Sequence, residues 1–342
     1  MINDSTGSPI YAEIDLAAFR HNMDAVVKLV KGRSQIMAVV KADAYGHGAF
    51  VIASEALKCG AEYLAVARLN EAVDLRKRGI DADILIFGQS LSVYVREYIE
   101  YNLHVSVHSL NAAELLSSEA VKLGAFIPVH IKVDTGMGRI GIVDDAAKSA
   151  DLIRRIGELK GVEVRGVYSH FANADCADKS HAKLQLGKFL EIREKVIPCF
   201  SKMPLFHIAN SAAVMELPES HLDIVRPGIM LYGLYPSSEM DREKTILKPV
   251  MSLKTQISQV KKVNAGFPVS YGSTYITERE SIIATVPAGY GDGYSRLLSG
   301  MGEMMVKGKR ASVTGRVCMD LAMLDVSHIP GVCEGDEVVL LG

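Results

Sequence analysis

Leu16, Phe19, Met23, Val26, Val27 and Val30 recur at helical spacing, which predicts an amphipathic helix over 16–30 that stops at Gly32. Beyond it, short apolar runs alternate with longer amphipathic stretches. The runs fall at 35–41, 63–67, 82–88, 104–108, 127–134, 162–170, 205–210 and 223–232, giving eight candidate strands. Segments such as 69–79, 111–124 and 145–160 lie between them as helices, several closed by glycine where a C-cap is expected. Eight such alternations point to a parallel (β/α)8 barrel. A doubly wound open sheet is the competing architecture, but the order of the units gives no sign of a reversal.

After residue 236 the grammar changes, because PSSEMDREK is a polar linker and the remainder lacks long helical stretches. Candidate strands at 252–263, 281–287, 311–326 and 336–341 predict a second, mostly β domain. The expected division is a barrel over 10–236 and a β-domain over 243–342, with residues 1–13 packing against the latter. Internal repeats and low-complexity tracts do not stand out.

Composition narrows the class. With 342 residues, 49% apolar and 23% charged positions and a net charge of -2, the chain has the profile of a globular two-domain protein and not of a nucleic-acid binder. Cys59, Cys176, Cys199, Cys318 and Cys333 are scattered without a C-x-x-C pair, which fits a reducing cytoplasm. The N-terminus has no apolar core of signal-peptide length, and an uncharged run of about 18 residues is absent, so neither secretion nor membrane insertion is expected.

In a barrel of this kind the reacting groups sit at the C-terminal ends of strands. That rule selects Lys41 with Asp43, Tyr45 and His47, then Asp134-Thr135-Gly136 with Arg139, then His170, Asn210-Ser211, and Arg226-Pro227-Gly228-Ile229. A lysine ending an apolar strand is either a partly desolvated Schiff-base former or a side chain snorkelling to the rim. Asn210-Ser211 and Gly228-Ile229, at the ends of strands seven and eight, offer a hydroxyl and approachable N–H groups for a phosphate, although Ser211 alone could be a helix cap. A lysine facing a phosphate cradle suggests pyridoxal phosphate. Arg226 could face the pyridine nitrogen with His170 orienting it; a structural salt bridge and a satisfied core histidine are the alternatives. Gly136, Gly138 and Gly141 spell G-x-G-x-x-G, but after the fifth strand, and the next strand does not end in the acidic residue a ribose would need. His47 and His170 lack metal-ligand spacing.

AVVKADAYGHG (38–48) resembles the cofactor-lysine motif of alanine racemases. Similar motifs extend along nearly the whole chain: AEIDLAAFRHN (12–22), HIKVDTGMGRIGI (130–142), SHFANAD (169–175), HIANSAA (207–213), RPGIMLYG (226–233), PVSYGSTY (268–275) and GRVCMD (315–320). The resemblance implies a pyridoxal-phosphate barrel followed by a β-domain. It further implies that Lys41 forms the imine with the cofactor, that Tyr45, Asn210, Ser211, Gly228 and Ile229 surround the phosphate, and that Arg226, supported by His170, meets the pyridine nitrogen. Arg139 would bind the substrate carboxylate near Met319, Tyr271 would be the second catalytic base, and Asp320 would line the same site. In such racemases the tyrosine comes from the partner subunit of a head-to-tail homodimer. Lys132 falls where some family members carry a carbamylated lysine, and family members usually continue beyond the equivalent of Gly342 with a further tyrosine near the site entrance.

Racemisation removes the Cα proton from one face and returns one to the other, so two acid–base groups on opposite sides are useful. By resemblance Lys41 serves the D-antipode and Tyr271 the L-antipode; a phenol with a reference pKa of about 10 needs nearby cations to act as a base. The implied reaction interconverts L- and D-alanine, supplying D-alanine for peptidoglycan. Serine is an alternative substrate, since the two amino acids differ by one hydroxyl. A fold-related decarboxylase would ordinarily place an acid, not Arg226, at the pyridine nitrogen. A non-catalytic carrier of the cofactor would not need the segment containing Tyr271, and a purely structural barrel would not need the set of site residues.

Overall fold

The computed structural model describes residues 8–88 and 90–342. The chain divides into two units: Leu16–Val250, and Met251–Gly342 together with the described residues before Leu16.

The first unit is the parallel barrel. Its strands are β1 (Gln35–Val39), β2 (Tyr63–Val66), β3 (Asp83–Ile86), β4 (His104–Val107), β5 (Ile127–Lys132), β6 (Val162–Tyr168), β7 (Leu205–His207) and β8 (Ile224–Val225). They pair in chain order from β1 to β7, and β8 pairs with β1. Between β7 and β8 the ring is brought nearly closed by Asp223 N donating to Phe206 O at 3.1 Å and Arg226 N donating to Ala209 O at 2.9 Å. The strands are buried almost throughout, as parallel strands covered on both faces must be, which is why they stand out as apolar runs. Predicted strands 205–210 and 223–232 shorten to three and two residues. The shortening frees Asn210 to cap the helix Ser211–Glu216 and turns Ile229–Tyr232 into a 3₁₀ segment.

Helix Leu16–Val30 buries Phe19, Met23, Val26 and Val30 along one stripe, as its spacing predicts. The same stripe includes Asn22. Its amide donates to Leu231 O and Lys248 O and accepts from Lys248 N at 2.8 Å, so a fully buried polar side chain ties residues 231–248 to the barrel. By contacts, residues 237–250 thus stay with the barrel unit, and the part of 1–13 that is described joins the second unit as expected, through Ile10–Ile14 pairing with Met251–Gln256; residues 1–7 lie outside the described residues.

That second unit is an antiparallel sheet ordered Ile10–Ile14, Met251–Gln256, Glu337–Leu341, Glu303–Val306, Lys309–Val313, Ala322–Asp325, Ser281–Val286 and Gln259–Val263. Its core includes Val286, Met304, Val306, Val313, Leu324 and Val338. The predicted strand 252–263 is two strands parted at Ile257-Ser258, and 311–326 is two strands parted by the loop 314–321. Both breaks let the alternation of inward and outward side chains restart on a new strand. No described helix is long and apolar enough to cross a membrane.

Candidate active site

At the C-terminal mouth of the barrel lies a cavity of about 580 Å³ lined by Lys41, Tyr45, Lys132, Arg139, His170, Asn210, Ser211, Arg226, Gly228 and Ile229, ten of the residues selected from sequence. Lys41, Lys132, Arg139 and Arg226 bring four cationic groups to it; Asp175 is the one carboxylate among its described lining residues. Such a cavity favours an anionic ligand.

Lys41 leaves β1 at its C-terminal end, and the chain then makes a turn that composition does not announce. Ala42, Asp43, Ala44 and Tyr45 all have φ of +53° to +55°, a left-handed turn built without glycine. Left-handed backbone costs an L-residue roughly 1–2 kcal/mol, so the conformation persists only because its surroundings enforce it. Ala42 N donates to Glu71 Oε1 at 2.5 Å, Ala44 N to Val40 O at 2.9 Å, and Asp43 Oδ1 accepts from Ala49 N at 2.7 Å. The turn sets the Tyr45 ring 6.0 Å from Lys41 Nζ and 4.8 Å from the Tyr232 ring. Burial, aided by the charge of Arg139 and opposed by Glu71, lowers the Lys41 pKa, which raises its supply of free amine.

Tyr45 also meets Gly228: a Cβ built on that glycine would stand 2.9 Å from the phenol oxygen. Beside it, Ser211 Oγ accepts from Gly228 N at 2.9 Å and from Met230 N at 3.3 Å, while the Asn210 side chain caps the helix by accepting from Ala213 N. The capping role considered for Ser211 therefore belongs to Asn210. The notch formed by a hydroxyl, a glycine backbone and a phenol suits a phosphate.

Arg226 is almost fully buried. One terminal nitrogen donates to His207 Nδ1 at 2.7 Å; the other donates to Ser169 O at 2.6 Å and Ile208 O at 3.1 Å, with His170 Nδ1 at 3.4 Å. A carboxylate is not among these partners, so the salt bridge considered from sequence is absent from the described contacts. Burial lowers its pKa to about 10, with Tyr168 opposing and Arg139 reinforcing the shift, and the guanidinium stays charged at neutral pH. His170 is driven well below the ordinary histidine range by burial and then by Arg226. Sequence reasoning missed His207, the closer imidazole, and Tyr168, whose ring stacks on His207 at 5.0 Å and whose hydroxyl meets Ser106 Oγ at 2.8 Å. The available signal was a histidine inside an apolar run, since a buried imidazole needs partners.

Lys132, at the end of β5, is buried against the Tyr168 ring and its pKa falls to about 8, through burial first and then Arg139 and Arg226. The G-x-G-x-x-G loop that follows wraps a carboxylate: Asp134 accepts from Gly136 N, Met137 N and Arg139 N at 2.7–3.0 Å. Gly141 at φ +142° leaves no space for a Cβ against Asp134 N. The glycines thus shape the loop that carries Arg139. Among the described residues, His, Cys, Asp and Glu side chains form no group of three able to hold a metal.

Tyr271, Met319 and Asp320 are carried by the C-terminal unit. Tyr271 sits in a tight turn between Pro268–Val269 and Tyr275–Ile276, with Ser270 and Ser273 at φ +66° and +50°, and is 68% exposed. Ser270 Oγ anchors the turn by donating to Arg316 O at 2.6 Å. Met319 and Asp320 lie in the loop 314–321, where Met319 O accepts from Gly291 N at 2.8 Å.

Comparison with known proteins covers both units. Residues 14–236 match the family model described as alanine racemase, N-terminal domain, and residues 250–342 match alanine racemase, C-terminal domain. An alanine racemase of Desulforamulus reducens is 48% identical over 334 residues, covering 98% of this chain and 90% of that protein. The one of Clostridium tetani is 48% identical over 335 residues, with 98% and 86% covered. Among solved structures, alanine racemase of Clostridium difficile 630 superposes with a TM-score of 0.93 at 36% identity, covering 98% of this chain and 87% of that one. That of Bacillus anthracis, solved with bound L-Ala-P, gives 0.88 at 36% identity, with 98% and 86% covered.

Proposed function

The chain belongs to the alanine racemase family, and from that premise we propose that the barrel cavity holds pyridoxal phosphate and works with Tyr271 of a second copy to interconvert L- and D-alanine by a two-base route. What supports this reading most is one convergence: an amine of lowered pKa, Lys41, shares a 580 Å³ cationic cavity with the Ser211, Gly228 and Tyr45 notch. Lys41 would hold the cofactor's aldehyde carbon, Tyr45, Asn210, Ser211, Gly228 and Ile229 its phosphate, and Arg226 with His170 its ring nitrogen.

When bound, the cofactor withdraws electrons from the substrate Cα and so makes that C–H acidic. The remaining chemistry belongs to the protein. Arg139, near Met319 and Asp320 of a second copy, binds the substrate carboxylate and fixes which bond to Cα is aligned. Lys41 Nζ takes or returns the Cα proton on one face; Tyr271 Oη does so on the other. Arg226, still charged at neutral pH, does not hand a proton to the ring nitrogen, which favours quick reprotonation at Cα over transfer of the amino group. Lys132, with its pKa lowered to about 8, keeps a larger minority of free amine at neutral pH than an ordinary lysine, open to CO₂, and as a carbamate it would give Arg139 an anionic partner. Intact-protein mass measured in bicarbonate buffer tests the modification; a mass equal to the bare chain removes it.

The reading extends to a homodimer in which each cavity draws Tyr271 from the other chain, and to a reducing compartment, in keeping with five unpaired cysteines. The direct test is to supply pyridoxal phosphate to the purified protein, incubate it with L-alanine and L-serine separately, and resolve both enantiomers by chiral chromatography. D-alanine formation with slower D-serine formation is expected. Absence of an imine absorbance band and of any D-product would overturn the proposal.

A further inference from the structure

Behind Arg226 a row of imidazoles crosses the barrel interior. Arg226 Nη1 lies 2.7 Å from His207 Nδ1, His207 Nε2 lies 2.9 Å from His130 Nδ1, and His130 Nε2 lies 3.2 Å from His104 Nδ1. His104 Nε2 then faces Asp83 Oδ1 at 3.6 Å. These side chains come from β7, β5, β4 and β3, and both His104 and Asp83 open their strands. The row therefore runs from the C-terminal mouth to the opposite end of the barrel, where Asp83 is partly exposed.

Arginine fixes the direction of every bond in this row. A guanidinium has only donors, so His207 Nδ1 must carry a lone pair. A neutral imidazole has one N–H, which then sits on Nε2 and donates to His130 Nδ1. The same logic passes to His130, and from it to His104, whose Nε2–H points at the Asp83 carboxylate. Charging any ring would set two donors face to face. Burial opposes it as well: His207 is held well below the ordinary histidine range by burial and then Arg226, His130 by burial and then His104 and Arg226, and His104 is lowered to about 4 by burial despite Asp83.

We propose that His207, His130 and His104 are positioning residues for Arg226: a neutral row of Nε2–H tautomers that gives the guanidinium an acceptor while keeping the balancing carboxylate, Asp83, at the far end of the barrel. A carboxylate at position 207 would make a stronger pair and cancel the charge beside the cavity; an imidazole accepts the hydrogen bond and leaves that charge intact. Together with Ser169 O and Ile208 O it holds both terminal nitrogens from the barrel side. The consequence for cofactor chemistry rests on the reading of the cavity given above, but the tautomers do not.

Ring ¹⁵N NMR of histidine-labelled protein, recorded at neutral pH with and without pyridoxal phosphate, distinguishes Nε2–H, Nδ1–H and doubly protonated rings. All three rings are expected as Nε2–H in both samples. An Nδ1–H or cationic ring at any of the three overturns the proposal, even if the protein racemises alanine normally. A second arm compares His207→Asn, which retains an amide oxygen as acceptor, with His207→Leu, which does not. The dissociation constant for pyridoxal phosphate, read by fluorescence, is expected to rise by about tenfold or more in the leucine variant and to stay within about threefold in the asparagine variant. Equal weakening in both, or none in either, contradicts it; if neither variant folds, the tautomers of the unmodified chain decide.

Discussion

Lys41 and Tyr271, the two residues proposed to move the same proton, stand in opposite settings. The lysine is half-buried in a cavity lined by residues of its own unit, with burial and then Arg139 lowering its pKa and the left-handed turn of residues 42–45 fixed beside it. The tyrosine is 68% exposed, held by a serine-anchored turn on the C-terminal unit. A base that must work in a desolvated site yet is left in water by its own chain needs surroundings from elsewhere. The contrast teaches that position can be encoded within one chain while environment is not.

The contrast is broken most severely at the lysine. Lys41→Ala is expected to lower racemisation by about 10⁴-fold and to abolish the imine absorbance band, because it removes both the cofactor's attachment and one base. Tyr271→Phe should retain that band and lose about 10²- to 10⁴-fold in turnover. A near-normal rate for Tyr271→Phe in a coupled assay would show that exposure marks a spectator.

A third prediction concerns stability. Lys132 has its pKa lowered from 10.5 to about 8, so its buried ammonium destabilises the cofactor-free fold below about pH 8. Between about pH 8 and 10.5 the folded lysine is neutral while the unfolded one still binds a proton, so stability rises with pH across that window. Lys132→Met should therefore raise the unfolding free energy by about 1–3 kcal/mol at pH 7, and the gain should vanish by about pH 10.5. Denaturant titrations in CO₂-free buffer measure it; a gain independent of pH would assign it to packing. Smallest is Gly228→Ala, whose Cβ would press on the Tyr45 phenol. About a tenfold rise in the dissociation constant for pyridoxal phosphate is expected, readable by fluorescence.

The eight barrel strands were legible because covered parallel strands must be apolar on both faces, and the strand-end rule then selected nine of the residues that line the cavity, Lys132 being added by the resemblance. The C-terminal strands were less legible. Lys309–Val313 and Ala322–Asp325 merge in sequence because the loop between them, TGRVCMDL, is about as apolar as its flanks. Glu303–Val306 escaped notice as a four-residue strand amid glycines and charges. The left-handed turn at Ala42–Tyr45 carries no glycine, so only the contacts of Glu71 and Asp43 reveal why it holds. His170 follows β6, two strands from the β8 end that carries Arg226; the tighter partner, His207, ends the intervening β7 and lies 2.7 Å away, but it sits inside an apolar run and not among the polar residues after the strand.

Subunit complementation reaches the central claim most directly. Lys41→Ala and Tyr271→Phe chains, each inactive alone, are mixed under conditions where native mass spectrometry confirms exchange. If the lysine of one chain works with the tyrosine of another, about a quarter of unmodified activity should return, since half the dimers are mixed and each has one intact site. Activity that stays at the parental level despite verified exchange would place both groups within a single chain and contradict the account.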